Sequence, residues 1–265
     1  MIRAMFSAAT GMVAQQTNID VIANNMANVN TSGFKKSRVN FQDLLYETLR
    51  PAGAQTAAGE TTPEGIQIGH GVRPSSVAKQ FTPGTFLQTG NSLDLAIEGD
   101  GFFSVDLADG TFGYTRDGSF RVNSQGTMMT VDGLPLSDGI TFPLDYIKGT
   151  VAIGSDGIVS VQVPGGGAPT QVGTIQLSTF PNPSGLDASL GRNLLRETEA
   201  SGAARLGNAQ VDGAGSVAQG FLEGSNVQVV EEIIGMIIAQ RAYEANSKVI
   251  QSADEMLQIA NNVRR

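Results

Sequence analysis

The residues able to do chemistry are few and poorly grouped. Glu98, Asp100 and Asp106 stand around Gly99 and Gly101, and neighbouring carboxylates are the apparatus of glycoside hydrolysis, one acid with one base or nucleophile. Acidic residues at a Gly-rich strand entry are also ordinary turn formers, and we read them so. Asp94 to Phe103 lacks the alternating acid-then-glycine spacing of a calcium loop. Gly99-x-Gly101 has no third glycine at the nucleotide-fingerprint position, and no Gly-Lys-Ser/Thr phosphate loop occurs. The single histidine, His70, sits in a Gly-flanked stretch with no nucleophile elbow nearby. Because the chain has no cysteine, thiol catalysis, disulfides and cysteine zinc sites are excluded. No catalytic, cofactor-binding or metal-binding residue is assigned, and the expectation is a non-enzyme without cofactors.

Seventeen Lys and Arg against 25 Asp and Glu give a net charge of −8. The densest basic cluster is only Lys35, Lys36 and Arg38, so nucleic acid is not an expected partner.

Helix breakers divide the chain. All ten prolines lie between Pro51 and Pro183, and 30 of the 33 glycines fall within residues 51 to 225, which leaves both ends free to be helical. In the N-terminal segment Met5, Met12, Ile19 and Met26 recur every seven residues, with Ala8, Gln15, Ile22 and Val29 three positions after each. In the C-terminal segment Val229, Met236, Tyr243, Ile250 and Leu257 do the same, interleaved by Glu232, Ala239, Asn246, Ala253 and Ala260. Both are heptad seams, and the small interleaved residues would admit a close partner. A helix from about 226 to 263 would be roughly 57 Å long, more than a small domain needs, which suits packing against other helices. Gly11 and Gly235 are either tolerated weak points or sites of close backbone contact; spacing does not choose.

Arg3 and the run Ala4 to Ala14 have no clear cleavage site after them, so no cleaved signal is expected. The longest apolar run, Ile233 to Ala239, is too short to span a membrane. Neither terminal helix has a Lys/Arg-rich polar face for lying on one.

The middle reads as a hairpin meander. Gly110, Gly118, Gly126, Gly133 and Gly139 recur at steps of six to eight, four of them after an Asp. Alternation between them puts Phe103, Val105, Leu107, Phe112, Tyr114, Phe120 and Val122 into one expected β core. A further hairpin turns at Asp156-Gly157, and Gly165 to Gly167 read as a tip or exposed loop. Residues 51 to 65 have no hydrophobic period. A faint echo links Gly84-Thr85-Phe86-Leu87-Gln88 to Gly220-Phe221-Leu222-Glu223.

The stretch Ala23-Asn24-Asn25-Met26-Ala27-Asn28-Val29-Asn30-Thr31-Ser32-Gly33-Phe34-Lys35 closely resembles the N-terminal signature of the bacterial flagellar rod and hook axial proteins. Gly90 to Ile97, Gly99 to Phe103 and Tyr114 to Phe120 look like that family's β-domain motif. Glu223 to Val227 and Met236 to Lys248 look like its C-terminal motif, which carries Asn226, Gln240, Arg241 and Tyr243. Phe41 to Thr48 and the Gln67-Ile68-Gly69-x-Gly71-Val72-Arg73-Pro74 run are most similar to members that build the distal rod.

The resemblance implies an α+β fold: long N- and C-terminal α-helices forming a coiled-coil-like inner domain, with a mainly antiparallel β middle domain. The expected parts are an N-terminal helix over 1–32 and a connecting segment over 33–80 with an extended loop at about 47–67. A β-rich outer domain over 81–199, a return segment over 200–225 and a C-terminal helix over 226–265 follow. The implied function is a structural subunit polymerising into a hollow, rigid drive shaft that transmits torque and passes exported subunits. Implied partners are further copies of the chain, proximal rod proteins, the hook side, the peptidoglycan and outer-membrane rings, and the flagellar type III export apparatus. The implied location is the basal body at periplasmic to outer-membrane level. Alternatives are a proximal rod or hook subunit, a β-rich peptidoglycan-cleaving enzyme with helical arms, and a trimeric coiled-coil adhesin.

Overall fold

The computed structural model describes residues 2–53, 63–145, 147, 149–164, 168–211 and 213–263. The chain forms two compact units, one drawn from residues 1–26, 37–78 and 228–265, the other from 27–36 and 79–227.

The first unit holds both helices. Helix α1 (Ile2–Ala27) has one glycine and no proline, and it stops where Asn28 to Gly33 turn the chain. Strands β1 (Ser37–Asp43), β2 (Tyr46–Arg50), β3 (Ile66–Gly69) and β4 (Val72–Lys79) follow, pairing as β1 with β4 and β2 with β3. Helix α2 (Val229–Val263) closes the unit; Glu231 and Glu232 in its first turn suit the positive end of the helix dipole. Its 35 residues make it about 52 Å long.

The ends of the extended loop expected at about 47–67 are paired, Glu47 opposite Ile68 and Arg50 opposite Ile66. A register shift between Thr48 and Arg50 breaks the two-residue period that would have announced a strand. Residues 54–62 of that loop lie outside the described residues. The hairpin is tied to α1, because Arg3 Nη2 donates to Glu47 Oε1 at 2.7 Å. Gly71 (φ +108°) also rests against Thr10, leaving no room for a side chain.

The second unit begins with β5 (Phe86–Gln88), β6 (Leu95–Glu98), β7 (Phe102–Asp106) and β8 (Phe112–Thr115). Then come β9 (Phe120–Val122), β10 (Met128–Thr130), β11 (Ala152–Ile153), β12 (Ile158–Val161) and β13 (Thr170–Thr174). The last are β14 (Gln176–Thr179), β15 (Leu194–Leu195), β16 (Arg205–Asn208), β17 (Ser216–Gln219) and β18 (Phe221–Glu223). A five-stranded antiparallel sheet in the order β15-β8-β7-β14-β16 forms the centre. The two segments sharing the faint sequence echo are partners: β18 pairs antiparallel with β5, Leu222 opposite Leu87.

Two expectations for this unit need correction. The single β core is really two, one on each face of the sheet. Phe103, Val105 and Phe120 belong to the larger cluster, whereas Tyr114 joins Phe102, Phe180, Leu186 and Leu195 on the other face, and Phe112 is exposed. Register decides this: Tyr114 lies opposite Ser104 and Phe112 opposite Asp106, so they share the face of the even-numbered residues of β7. The meander also breaks at Gly118, since β9 pairs with β10 and not with β8. Gly118 is instead a close approach, where a Cβ would overlap the carbonyl of Leu95. The turns at Asp109-Gly110 and Asp156-Gly157 are hairpin turns as expected. Gly165 to Gly167 lie outside the described residues.

Candidate assembly surface and its buried polar anchors

The two helices of the first unit run antiparallel in fixed register. Asn25 Nδ2 donates to Glu232 Oε2 at 3.3 Å, Ile22 lies against Gly235, and Gly11 lies against Asn246. As numbers rise along α1 they fall one for one along α2. A Cβ on Gly11 would come within 2.8 Å of Asn246 Nδ2, so this glycine is a point of close contact.

The heptad positions fall on two levels. Met5, Met12, Ile19, Met26, Met236, Ile250 and Leu257 are half-buried, while Val229 and Tyr243 are exposed. The deepest positions are interleaved ones: Ala8, Ile22, Glu232, Ala239 and Ala253. Mostly small side chains occupy them because the helix surfaces meet there, and larger residues flank the contact.

That contact does not satisfy α2. Val230, Ile233, Ile234, Ile237 and Ile238 are all exposed, up to 69% for Val230. At about 100° per residue they fall in one arc centred roughly opposite the buried line through Glu232, Ala239 and Asn246. The first turns of α2 therefore carry a second, apolar face turned away from α1. Phe6 and Val13 on α1 are likewise exposed.

Buried polar groups fix the chain within each unit. In the first unit Asn25, 2% exposed, makes a reciprocal pair with Ser37: its Nδ2 donates to the Ser37 carbonyl and its Oδ1 accepts from the Ser37 N–H, both at 2.9 Å. In the second unit the segment after α1 is threaded through a charged centre. Lys35 Nζ donates to Glu223 Oε1 and to the Thr82 carbonyl, and Arg116 Nη1 reaches Glu223 Oε2 at 3.3 Å. Gly84 N–H donates to the same carboxylate, and Gly33 N–H to the Glu223 backbone carbonyl. Burial pushes the Lys35 ammonium below its usual range against the opposing pull of Glu223, and it pushes Arg116 the same way. Asn226 accepts from Lys36 N–H at 2.7 Å and donates to the Gln80 carbonyl at 2.8 Å.

Of the remaining motif residues, Phe34 is buried with the Lys79 ammonium 5.2 Å from its ring centroid. Asn28 accepts from the Thr31 hydroxyl, and Asn24 and Ala27 face outward. Gln240, Arg241 and Tyr243 are exposed on α2, where Arg241 pairs with Glu244. The pairing of Lys35 and Arg116 with Glu223 had not been assigned from sequence. Its signal was three charges set among Gly, Phe and Leu in strand-like context, where a charge is expensive unless paired.

The chemical candidates stay apart from any such construction. Glu98 and Asp100 are exposed, and Asp106 is half-buried. His70 Nε2 stands 3.9 Å from Glu47, at the surface hairpin. Among the described residues no group of three His, Cys, Asp or Glu side chains could hold a metal ion, and no helix is long and apolar enough to cross a membrane.

Three family models match successive parts of this architecture. Residues 5–35, α1 and the segment ending at Lys35, match "Flagella basal body rod protein"; residues 96–161 match "Flagellar hook protein FlgE/F/G D1 domain". Residues 218–263, which include Glu223, Asn226 and α2, match "Flagellar basal body rod FlgEFG protein C-terminal". The chain is 47% identical over its whole length to the flagellar basal-body rod protein FlgG of Borreliella burgdorferi, all of which is covered. The chain belongs to the flagellar basal-body rod protein family. It is also 46% identical to FlgG of Caulobacter vibrioides, covering 99% of each chain. With FlgF of the same organism it shares 36% identity over 96% of this chain and 94% of that one. Members are structural subunits of the flagellar basal body and not enzymes. The matched segments bound the anchors: Asn25, Gly33 and Lys35 lie in the N-terminal match, Arg116 in the central one, and Glu223, Asn226 and Glu232 in the C-terminal one.

Proposed function

We propose that the chain is a subunit of the distal rod, polymerising with copies of itself into a hollow, rigid shaft that transmits torque and passes exported subunits through its channel. The apolar face of α2 at Val230, Ile233, Ile234, Ile237 and Ile238, opposite its contact with α1, carries this reading. Such a face is unfavourable in water and becomes favourable only when neighbouring copies cover it, so ordering of the helices and assembly are coupled. In the polymer α1 and α2 pack in a coiled-coil-like inner layer along Met5, Met12, Ile19, Met26, Val229, Met236, Tyr243, Ile250 and Leu257. The β-rich part, residues 81–199 with the return segment 200–225, then forms the outer layer. The 47–67 segment packs on adjacent copies and stiffens the shaft, so its excision gives curved or pliable polymers.

The shaft joins proximal rod proteins to the hook side inside the peptidoglycan and outer-membrane rings. Its subunits reach that level through the type III export apparatus without a cleaved signal. Electron microscopy of the purified protein at high concentration tests the reading: straight tubes, spontaneous or seeded, are expected. A compact monomer under all conditions overturns it.

The identity with FlgF favours one second reading, a subunit of the proximal rod. Cells lacking the chain separate the two. Basal bodies arrested with a proximal rod in place fit the distal position, and arrest before any rod is built fits the proximal one.

A further inference from the structure

A groove of about 810 Å³ opens in the second unit beside the central sheet, lined by Phe112, Tyr114, Arg196, Glu197, Glu199 and Gly202 among others. It exists because β15 is too short to cover β8. β15 pairs only with Thr115 and Tyr114, after which Arg196 turns its N–H and carbonyl to Asp187. The hydrogen bond from Leu107 N–H to the Thr111 carbonyl sets the alternation along β8. Gly113 therefore faces β7, and the N–H and carbonyl of Phe112 point the other way, into the groove. Among the described residues no strand is paired there. Phe112 is 54% exposed while Tyr114 beside it is buried, its phenol held against Glu197. This is an unpaired strand edge with an apolar floor, the arrangement on which an added strand docks.

Charge selects the occupant. Arg196 is already engaged by Asp109 at 2.8 Å; Glu197 accepts from the Ala204 N–H at 3.2 Å yet stays exposed, and Glu199 is exposed at the groove wall beside it. The unit as a whole has nine basic and fifteen acidic residues, a net charge of −6. A second copy of so acidic a unit is repelled, and a basic strand is attracted.

We propose that this groove is a strand-addition site for an extended, Lys- or Arg-bearing segment of a different protein. The segment pairs with the backbone of Phe112 and sets a cationic side chain between Glu197 and Glu199. This goes beyond the rod reading and does not depend on it, since nothing in the groove belongs to the helices.

The full chain has no tryptophan, so the emission of a Trp-containing probe reports binding directly. The test titrates unpolymerised protein with the blocked peptide Lys-Val-Trp-Val-Lys and its Glu-Val-Trp-Val-Glu counterpart. The basic peptide should bind at least about tenfold more tightly and weaken as salt rises. Glu199→Lys should weaken it by on the order of tenfold. Phe112→Pro, which removes the edge N–H, should abolish binding that Phe112→Ala partly keeps. Equal affinity for the two peptides, or no binding of either, overturns the proposal. So does indifference to Glu199→Lys, a surface change that stands as the test if Phe112→Pro fails to fold. Self-association abolished by Phe112→Pro assigns the edge to a second copy and also overturns it.

Discussion

Lys35 and Glu223, 188 positions apart in the chain, form an ion pair of which only 3% and none of the respective side chains reach solvent. The carboxylate also holds Arg116, so Glu223 is the anion in direct contact with both buried cations, the more distant Asp100 charge supporting Arg116 alone. Removing the anion is then far worse than removing one cation. Glu223→Ala should cost about 3–5 kcal/mol, because both buried cations lose the carboxylate they touch. Lys35→Met, which leaves the Arg116 pair intact, should cost clearly less. Urea midpoints followed by circular dichroism rank the two, and the reverse order would show that the cluster is not organised around Glu223.

Asp138 offers a pH signature. Burial lifts its carboxyl from the usual 3.8 to about 6, with the Asp106 charge adding to the rise and the Gln176 N–H opposing it. A carboxyl whose folded value lies above its unfolded one binds its proton more tightly in the native state. The resulting stabilisation is complete below about 4 and is lost as pH rises through about 6. Asp138→Asn keeps an acceptor for Gln176 but has no charge to bury. Relative to the parent chain the variant should be unchanged near pH 4 and more stable at pH 8. Parallel stability curves across that range would rule out a buried carboxylate as the cause.

Which features could be read from the sequence follows from their range along the chain. Both helices were legible because the 26-residue and 35-residue stretches contain no Pro and a single Gly each, a local property. The Asp-Gly hairpin turns were legible for the same reason. Gly118 was misread because its glycine is required by the Leu95 carbonyl, which no turn rule anticipates. Tyr114 and Phe112 were placed on the wrong face because alternation gives two faces without saying which meets Phe103; only the register across β7 and β8 does. The family signature pointed to Asn25, Gly33 and Asn226 as motif residues but not to their work. That work consists of bonds to Ser37, Glu223 and Gln80, the last two across most of the chain.

Gly33 and Gly110 separate conformation from crowding. Both have left-handed backbone, φ +69° and +79°, so an alanine at either is strained by about 1 kcal/mol. At Gly110 nothing lies within 4 Å of the added carbon, whereas at Gly33 it would sit 2.6 Å from the Arg116–Asp117 peptide. Backbone cannot swing aside as a side-chain tip can. Gly33→Ala should therefore lower the thermal midpoint several times more than Gly110→Ala and release the segment carrying Phe34 and Lys35, seen as faster hydrogen exchange there. Similar shifts for the two would mean that the backbone angle alone accounts for Gly33.

The two sides of α2 make opposite predictions. Ala239 is fully buried, on the side of α2 that meets α1. Ile234 and Ile238 are 53% and 64% exposed, in the arc facing away. Ala239→Lys forces a long charged side chain between helices and should unfold the first unit outright, by more than about 2 kcal/mol. Ile234→Lys with Ile238→Lys replaces apolar surface that the single chain leaves in water, and should leave its helicity unchanged or slightly improved. If that surface is where copies meet, the double variant should fail to form polymers at concentrations where the parent chain does, since each buried cation must be desolvated without a partner. Light scattering beside circular dichroism distinguishes the cases. A double variant that polymerises normally would show that the face remains wet in the assembly, and the apolar residues of the first turns of α2 would then have no structural use.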